Sequence, residues 1–86
     1  MNEKWILGIH VANRSEAAEK VQSVLTKFGC SIRTRLGLHE PEENDDFGSG
    51  LILLELTGDP LEFIKLENEL LKLEKVEVRK MIFIQG

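Results

Sequence analysis

The chain has 86 residues, which is enough for the core of one small domain and too few for two. Its hydrophobic fraction of 42% is typical of a globular protein, and no apolar stretch is long enough to span a bilayer. A net charge of −4 argues against direct nucleic-acid binding, which depends on clustered lysines and arginines. With one cysteine and no signal-peptide pattern, we expect a single cytoplasmic domain spanning residues 1–86.

The first half of the chain predicts a strand, a helix and a second strand. Residues 4–12 (KWILGIHVA) carry branched apolar side chains at alternate positions, as a strand does. Residues 13–29 place apolar side chains at helical spacing, with a polar cap at Asn13 or Ser15. Residues 30–40 (CSIRTRLGLHE) return to a period of two, which predicts a strand with one buried face.

The second half predicts a loop, a strand, a helix and a last strand. Residues 41–50 are acidic and rich in turn formers, and the run LILLEL at 51–56 follows as strand three. Residues 59–75 open with Asp59 as a helix cap and a proline at the first helical position. Residues 76–84 (VEVRKMIFI) alternate again and predict strand four.

The order βαββαβ predicts a ferredoxin-like, ACT-like α+β sandwich, in which a four-stranded antiparallel sheet carries both helices on one face. Strand two is expected at an edge, beside strand three. The face covered by helices is expected to hold Leu7, Ile9, Val11, Ile32, Thr34, Leu36, Leu38, Ile52, Leu54 and Leu56. The open face is then expected to hold Ile6, Gly8, His10, Arg33, Arg35, Gly37, His39, Leu51, Leu53, Glu55, Arg79, Met81 and Phe83.

Half of this predicted open face is apolar. A monomer rarely exposes so large a contiguous apolar surface. We therefore expect another copy of the chain to cover it, which gives a homodimer or a homotetramer.

Charged side chains on the predicted open face are the first candidates for a functional role. If Arg33, Arg35 and His39 share one face, the two arginines flank Glu55 on the neighbouring strand. Such an arrangement can serve as a charge-paired interface between subunits, because a guanidinium group presents a planar fork of donors to a carboxylate. It can also hold an anionic ligand at a subunit junction, since two neighbouring guanidinium groups suit an anion.

Four side chains form a weaker metal-ligand hypothesis: His10, Cys30, His39 and Glu40. Imidazole and thiolate are good ligands for zinc, nickel or iron, but the spacing matches no metal motif. His10 and His39 lie on strands that strand three separates, so only a subunit contact would join them. The cysteine follows a glycine that ends the first helix and is expected to be a small packed residue.

The sequence also argues against an enzyme. Its serines are scattered, and neither a serine nor the cysteine is visibly coupled to a histidine and an acid. No sequence motif indicates a cofactor.

The run GCSIRTRLGLHE at 29–40, followed by GLILLEL at 50–56 and preceded by NRSEAAEKVQSVL at 13–25, resembles the family of iron-only hydrogenase system regulators. The likeness covers nearly the whole chain. That family is similar in fold to ACT domains and to the C-terminal domain of the nickel-responsive repressor. The resemblance implies a stand-alone regulatory domain that senses a ligand for a hydrogenase or related operon, and the metal sensing of the nickel-responsive repressor is not carried over.

Together these observations predict a non-enzymatic, oligomeric regulator of a hydrogenase system. A small molecule or metal bound near Arg33, Arg35 and His39 would favour one assembly state over another. Two alternatives stay open. The chain could be an interaction or scaffold module without a ligand, or a hydrogenase maturation factor in which Cys30 and His39 handle metal.

Overall fold

The computed structural model describes residues 2–12, 16–39 and 50–85. The elements are β1 (Asn2–Val11), α1 (Glu16–Lys27), β2 (Ile32–His39), β3 (Gly50–Leu56), α2 (Pro60–Leu71) and β4 (Val76–Gln85). They form one antiparallel sheet in the order β2-β3-β1-β4. This confirms the predicted ferredoxin-like sandwich. The loop expected between β2 and β3 lies outside the described residues, as do Asn13 and Ser15.

Helix α1 forms because its apolar residues recur on one stripe. Ala17, Val21 and Leu25 are buried on that stripe, and the polar side of the helix faces solvent. The helix ends at Lys27, and a 3-10 turn at Gly29–Ser31 leads into β2. The turn places the backbone of Ser31 where its carbonyl accepts a hydrogen bond of 2.8 Å from the Thr57 amide.

Helix α2 begins as the sequence predicts and ends earlier. The Asp59 side chain accepts a hydrogen bond of 2.9 Å from the amide of Leu61, and a proline occupies the first helical position. The helix ends at Leu71 rather than near residue 75. Lys75 has a φ of 65°, which no residue within a right-handed helix adopts, and its carbonyl accepts a 3.0 Å hydrogen bond from Ala12.

The hydrophobic core lies between the helices and one face of the sheet. The rings of Trp5 and Phe63 pack with their centroids 5.4 Å apart at a tilted angle. The Trp5 indole N–H donates to a Glu3 carboxylate oxygen at 2.8 Å. The buried apolar residues are Trp5, Leu7, Ile9, Val11, Ala17, Val21, Leu25, Phe28, Leu54, Leu56, Phe63, Leu66, Leu70 and Val78.

Three strands present the faces that the alternation predicts. Residues that pair directly across an antiparallel sheet lie on the same face. Leu7 pairs with Leu54, and both are fully buried beneath the helices. The intervening residues, such as Gly8, which pairs with Leu53, lie on the open face. The face assignments of β1, β3 and β4 are therefore confirmed.

The predicted face of β2 is wrong beyond its first residue. Ile32 pairs with Leu56 as expected, but the register then shifts, so that Thr34 rather than Arg33 pairs with Glu55. Arg33 is the extra residue of a β-bulge, and a one-residue shift moves every later side chain to the other face. Thr34, Leu36 and Leu38 thus lie on the open face with their partners Glu55, Leu53 and Leu51.

The same shift removes Arg35 and Gly37 from the open face. Arg35 pairs with Leu54 and Gly37 with Ile52, which both belong to the face covered by helices. His39 pairs through its backbone with Gly50, and its side chain lies outside the described part of the structure. The arginines of β2 therefore do not share a face.

Neither described helix is long and apolar enough to cross a membrane.

Candidate functional site

The open face of the sheet is more apolar than the sequence alone predicts, because the bulge places Leu36 and Leu38 there instead of Arg35 and Gly37. Leu36 is 50% exposed and Phe83 is 52% exposed, although both are large apolar side chains. The register aligns Leu36 with Leu53 and Leu38 with Leu51 across β2 and β3. We call the following residues the apolar patch: Ile6, Leu36, Leu38, Leu51, Leu53, Met81 and Phe83.

A charged cluster borders the apolar patch. The Glu55 carboxylate accepts a hydrogen bond from the Lys4 ammonium and another, of 2.9 Å, from the Thr34 hydroxyl. The three side chains come from three different strands. Lys4 precedes Ile6 by two positions, so the same alternation that placed Ile6 on the open face could have identified it. Thr34 could not be identified that way, because the bulge reverses its face.

The pKa of Glu55 lies below its usual value. The hydrogen bond from Lys4 is the main cause, followed by the hydrogen bond from Thr34, and the charge of Arg33 lowers the pKa further. Since a hydrogen bond to the charged form stabilises that form, the carboxylate stays ionised to more acidic pH than an isolated glutamate. The cluster therefore presents a fixed ionic group at the border of the apolar patch.

Arg33 lies beside this cluster, as the sequence predicts, but for a different reason. The prediction relied on regular alternation along β2, whereas in the structure the bulge places Arg33 opposite Glu55 together with Thr34. Arg33 also lines a polar cleft of about 510 Å³ between the start of β1 and the start of α2. The other residues of this cleft are Asn2, Glu3, Lys4, Leu56, Thr57, Gly58, Pro60 and Phe63.

Arg35 points to the opposite side of the sheet. Its guanidinium group donates a hydrogen bond to the side-chain carbonyl of Gln22, on helix α1. Both residues are exposed at the margin of the helix layer. The predicted pair of arginines around Glu55 is thus corrected to one arginine near Glu55 and one bound to α1.

A second cleft of about 350 Å³ lies near Arg35, between α1 and the ends of β2 and β3. Its lining is mostly apolar, with Gln22 as its polar side chain. The full lining is Val11, Ala18, Val21, Gln22, Gly37, Leu38, Gly50, Leu51 and Ile52.

The metal-ligand candidates are not brought together among the described residues. His10 lies on the open face, opposite Leu51 and Glu77. Cys30 is exposed in the turn after α1, so the expectation that it is a packed residue is wrong. Glu40 and the His39 side chain lie outside the described residues. Residues 2–12, 16–38 and 50–84 contain no group of three histidine, cysteine or acidic side chains placed to hold a metal ion.

Comparison with solved structures identifies the fold as ACT-like. The chain is similar to the uncharacterized protein TM1266 from Thermotoga maritima, with a TM-score of 0.80 and 24% identity over 96% of this chain and 100% of that one. It is also similar to the ACT domain of a GTP pyrophosphokinase from Chlorobium tepidum, with a TM-score of 0.67 and 19% identity, covering 91% and 96% of the two chains.

A de novo designed protein, Foldit4, shares the same architecture, with a TM-score of 0.60 and 14% identity over 99% of this chain and 100% of that one. At these identities the likeness establishes the fold, and a fold can host unrelated functions. No protein-family model matches the chain, and no curated protein matches it in sequence.

Proposed function

We propose that this chain is a stand-alone regulatory domain of ACT-like fold that assembles through its open sheet face and responds to a ligand at the subunit junction. The observation that carries the proposal is the apolar patch, in which Leu36, Met81 and Phe83 are each at least half exposed. Water contact with so much apolar surface is unfavourable, and a second sheet packed face to face removes it. A partner of the same kind makes the assembly symmetric.

The family of iron-only hydrogenase system regulators is our proposal for the chain's biological class. It rests on the sequence block around residues 29–40 and agrees with an ACT-like fold. We propose a cytoplasmic location for the domain and no catalytic role of its own.

The ligand of this proposal sits beside the Glu55 cluster. Arg33 and Lys4 supply positive charge there, and both line the same polar cleft. A guanidinium group is suited to a carboxylate or phosphate group. When two sheets stack, this border lies at the rim of the contact, so a bound anion can stabilise one arrangement of subunits more than another. His39 stays a candidate ligand residue on β2, whereas Arg35 is withdrawn because its guanidinium group binds Gln22 of α1 on the other side of the sheet.

The alternative is a scaffold without a ligand, and the Glu55 cluster supports it. Lys4 and Thr34 already satisfy the Glu55 carboxylate within one chain. A carboxylate that is paired within one chain needs no ligand, so the apolar patch can hold the subunits together without a bound anion.

Assembly is tested by Leu36→Glu, with Leu61→Glu as the matched control. Both leucines are exposed, at 50% and 64%, but Leu61 lies on α2 away from the sheet. We expect Leu36→Glu to reduce the subunit number in sedimentation velocity, because it buries a charge in the contact. Leu61→Glu should leave the subunit number unchanged. An equal subunit number in the wild type and both variants contradicts assembly through this face.

The ligand is tested by native mass spectrometry of protein purified without chelator, compared with the denatured mass. If the domain binds a ligand as proposed, the assembled chain carries extra mass, and Arg33→Ala reduces that extra mass. The control is Lys65→Ala, which removes a charge on α2 that is not part of the cleft lining. Bare chains that assemble normally, and whose assembly is weakened by Arg33→Ala, favour the scaffold.

A further inference from the structure

The smaller cleft, of about 350 Å³, lies where side chains do not fill the covered face of the sheet. Gly50 pairs with the buried Val11, so it lies on the helix side. Gly37 pairs with Ile52 and lies on the same side. A Cβ atom built on either glycine meets no atom beyond its chain neighbours within 4 Å. The space over these two glycines, between the sheet and α1, is therefore open.

The bulge in β2 explains why this space is open. Regular alternation would turn Leu36 and Leu38 toward α1, where they would fill it. The register shift turns both leucines to the open face and brings Gly37 to the helix side instead. Ala18, which lines the cleft from α1, is too small to compensate. The resulting volume of about 350 Å³ falls within the roughly 300–1,000 Å³ of small-molecule sites.

One charged side chain lies at the margin of this cleft. Arg35 precedes Gly37 by two positions on β2, so both lie on the helix side of the sheet. The Arg35 guanidinium group donates a hydrogen bond to the side-chain carbonyl of Gln22, which itself lines the cleft. A guanidinium group has five N–H donors, and the Gln22 amide has two of its own. The margin therefore has donors left for the acceptor atoms of a ligand.

We propose that this cleft binds a small amphipathic monocarboxylate, with its apolar chain over Gly37 and Gly50 and its carboxylate on Arg35 and Gln22. A guanidinium group offers a carboxylate two parallel N–H donors. The described lining of the cleft contains no charged side chain, so Arg35 supplies a single positive charge beside an apolar space. This arrangement matches one carboxylate on an uncharged chain.

The size and the charge of the cleft narrow the ligand further. If each non-hydrogen atom takes the ~30 Å³ of a water molecule, about 350 Å³ holds on the order of ten atoms, as in octanoate. An α-ammonium group would find no carboxylate in the described lining. A fatty acid therefore fits the cleft better than an amino acid does.

This site is separate from the ligand site of the proposed function. That site lies beside Glu55 on the open face and uses Arg33, whereas Arg35 and the two glycines lie on the helix side. Leu38 and Leu51 line the cleft and also belong to the apolar patch, but the proposal rests on the other lining residues. The two sites can therefore be tested separately in one chain.

The apolar part of the site is tested by Gly37→Val, with octanoate as the probe. Gly37 does not have a left-handed φ and has open space over its Cα, so a valine fits without strain and occupies the cleft. We expect unchanged or higher stability in urea, because a β-branched residue suits a strand. Octanoate binding, followed by the amide shifts of Val21 and Ile52, should be lost. The control Gly29→Val adds the same atoms outside the cleft and should bind octanoate like the wild type.

The charged part is tested by Arg35→Met, with Arg33→Met as the control on the same strand. Arg35→Met keeps an apolar stem and removes the charge. It should weaken octanoate binding about tenfold, because hydrogen bonds to a charged group are lost. Binding of 1-octanol, which has the same chain and no charge, should not change. Arg33→Met should leave the octanoate affinity at the wild-type value.

Four results would overturn the proposal. The wild type could show no saturable binding of octanoate, or Gly37→Val could bind it with undiminished affinity. A loss with Arg33→Met as large as that with Arg35→Met would place the anion beside Glu55 instead. Amide shifts confined to Leu36 and its neighbours on the open face would show adsorption to the apolar patch.

Discussion

The two faces of the sheet are similar in sequence and opposite in environment. Leu54 and Leu7 pair on the covered face and have no exposed surface, whereas Leu36, on the open face, is half exposed. Both faces follow the same alternation of apolar residues along their strands. The pattern therefore identifies a surface that avoids water, but it does not tell whether a helix of the same chain or another molecule covers that surface.

The largest effect that can test this comparison comes from Leu→Ala substitutions on the two faces. Leu54→Ala should lower the free energy of unfolding by about 2–5 kcal/mol, because it leaves a cavity in a packed core. Leu36→Ala removes the same atoms from an exposed site and should change it by at most about 0.5 kcal/mol in the monomer. Urea denaturation at dilute concentration measures both.

At higher protein concentration the Leu36→Ala variant also tests assembly through the open face. If the open face is covered by another copy, the stability of the wild type rises with concentration, and that of Leu36→Ala rises less. Equal losses for Leu54→Ala and Leu36→Ala in the dilute monomer would contradict the assignment of β2 residues to the two faces.

A smaller effect is expected from deleting Arg33, which tests the bulge. The extra residue of a bulge has no partner of its own, so its removal leaves Ile32 opposite Leu56 and Thr34 opposite Glu55. The deletion should cost no more than about 1 kcal/mol in urea denaturation and should preserve assembly. A chain that fails to fold, or that loses assembly through Leu36, would show that the register of β2 differs.

The smallest effect concerns the pH dependence of the Glu55 cluster. Because the folded pKa of Glu55 is lowered, the cluster stabilises the fold above the usual pKa of a glutamate, and this contribution is lost as the pH falls through the lowered value. Glu55→Gln should therefore flatten the acid limb of the stability curve and leave the most acidic points unchanged.

NMR titration of the Glu55 carboxyl separates the contributions of Lys4 and Arg33 to its lowered pKa. Lys4→Met should raise its pKa most, since the Lys4 hydrogen bond is the largest cause, and Arg33→Gln should raise it less. Arg35→Gln should have no effect, because Arg35 binds Gln22 on the other side of the sheet. A shift with Arg35→Gln as large as that with Arg33→Gln would restore the predicted pair of arginines.

The site was only partly predictable from the sequence. Arg33 and Glu55 are neighbours as expected, but Arg35 is not, and Lys4 and Thr34 were missed. In the run IRTRLGLH, residues 32–38 alternate so regularly that an uninterrupted strand is the natural interpretation. The bulge reverses that interpretation, and it depends on how β3 pairs with β2 rather than on the residues of β2 themselves.

The sequence by itself determined the order of the elements, the buried stripe of α1 and the faces of β1, β3 and β4. These follow from local rules: helical spacing around Val21, the Asp59 cap, and a period of two along each strand. The tertiary structure alone decided the face of Arg35 and of the leucines in β2, because register is set between strands and one unpaired residue inverts it. It also showed that the apolar end of β4 lies on an edge with two exposed faces, since only the assembled sheet distinguishes an edge strand from a central one.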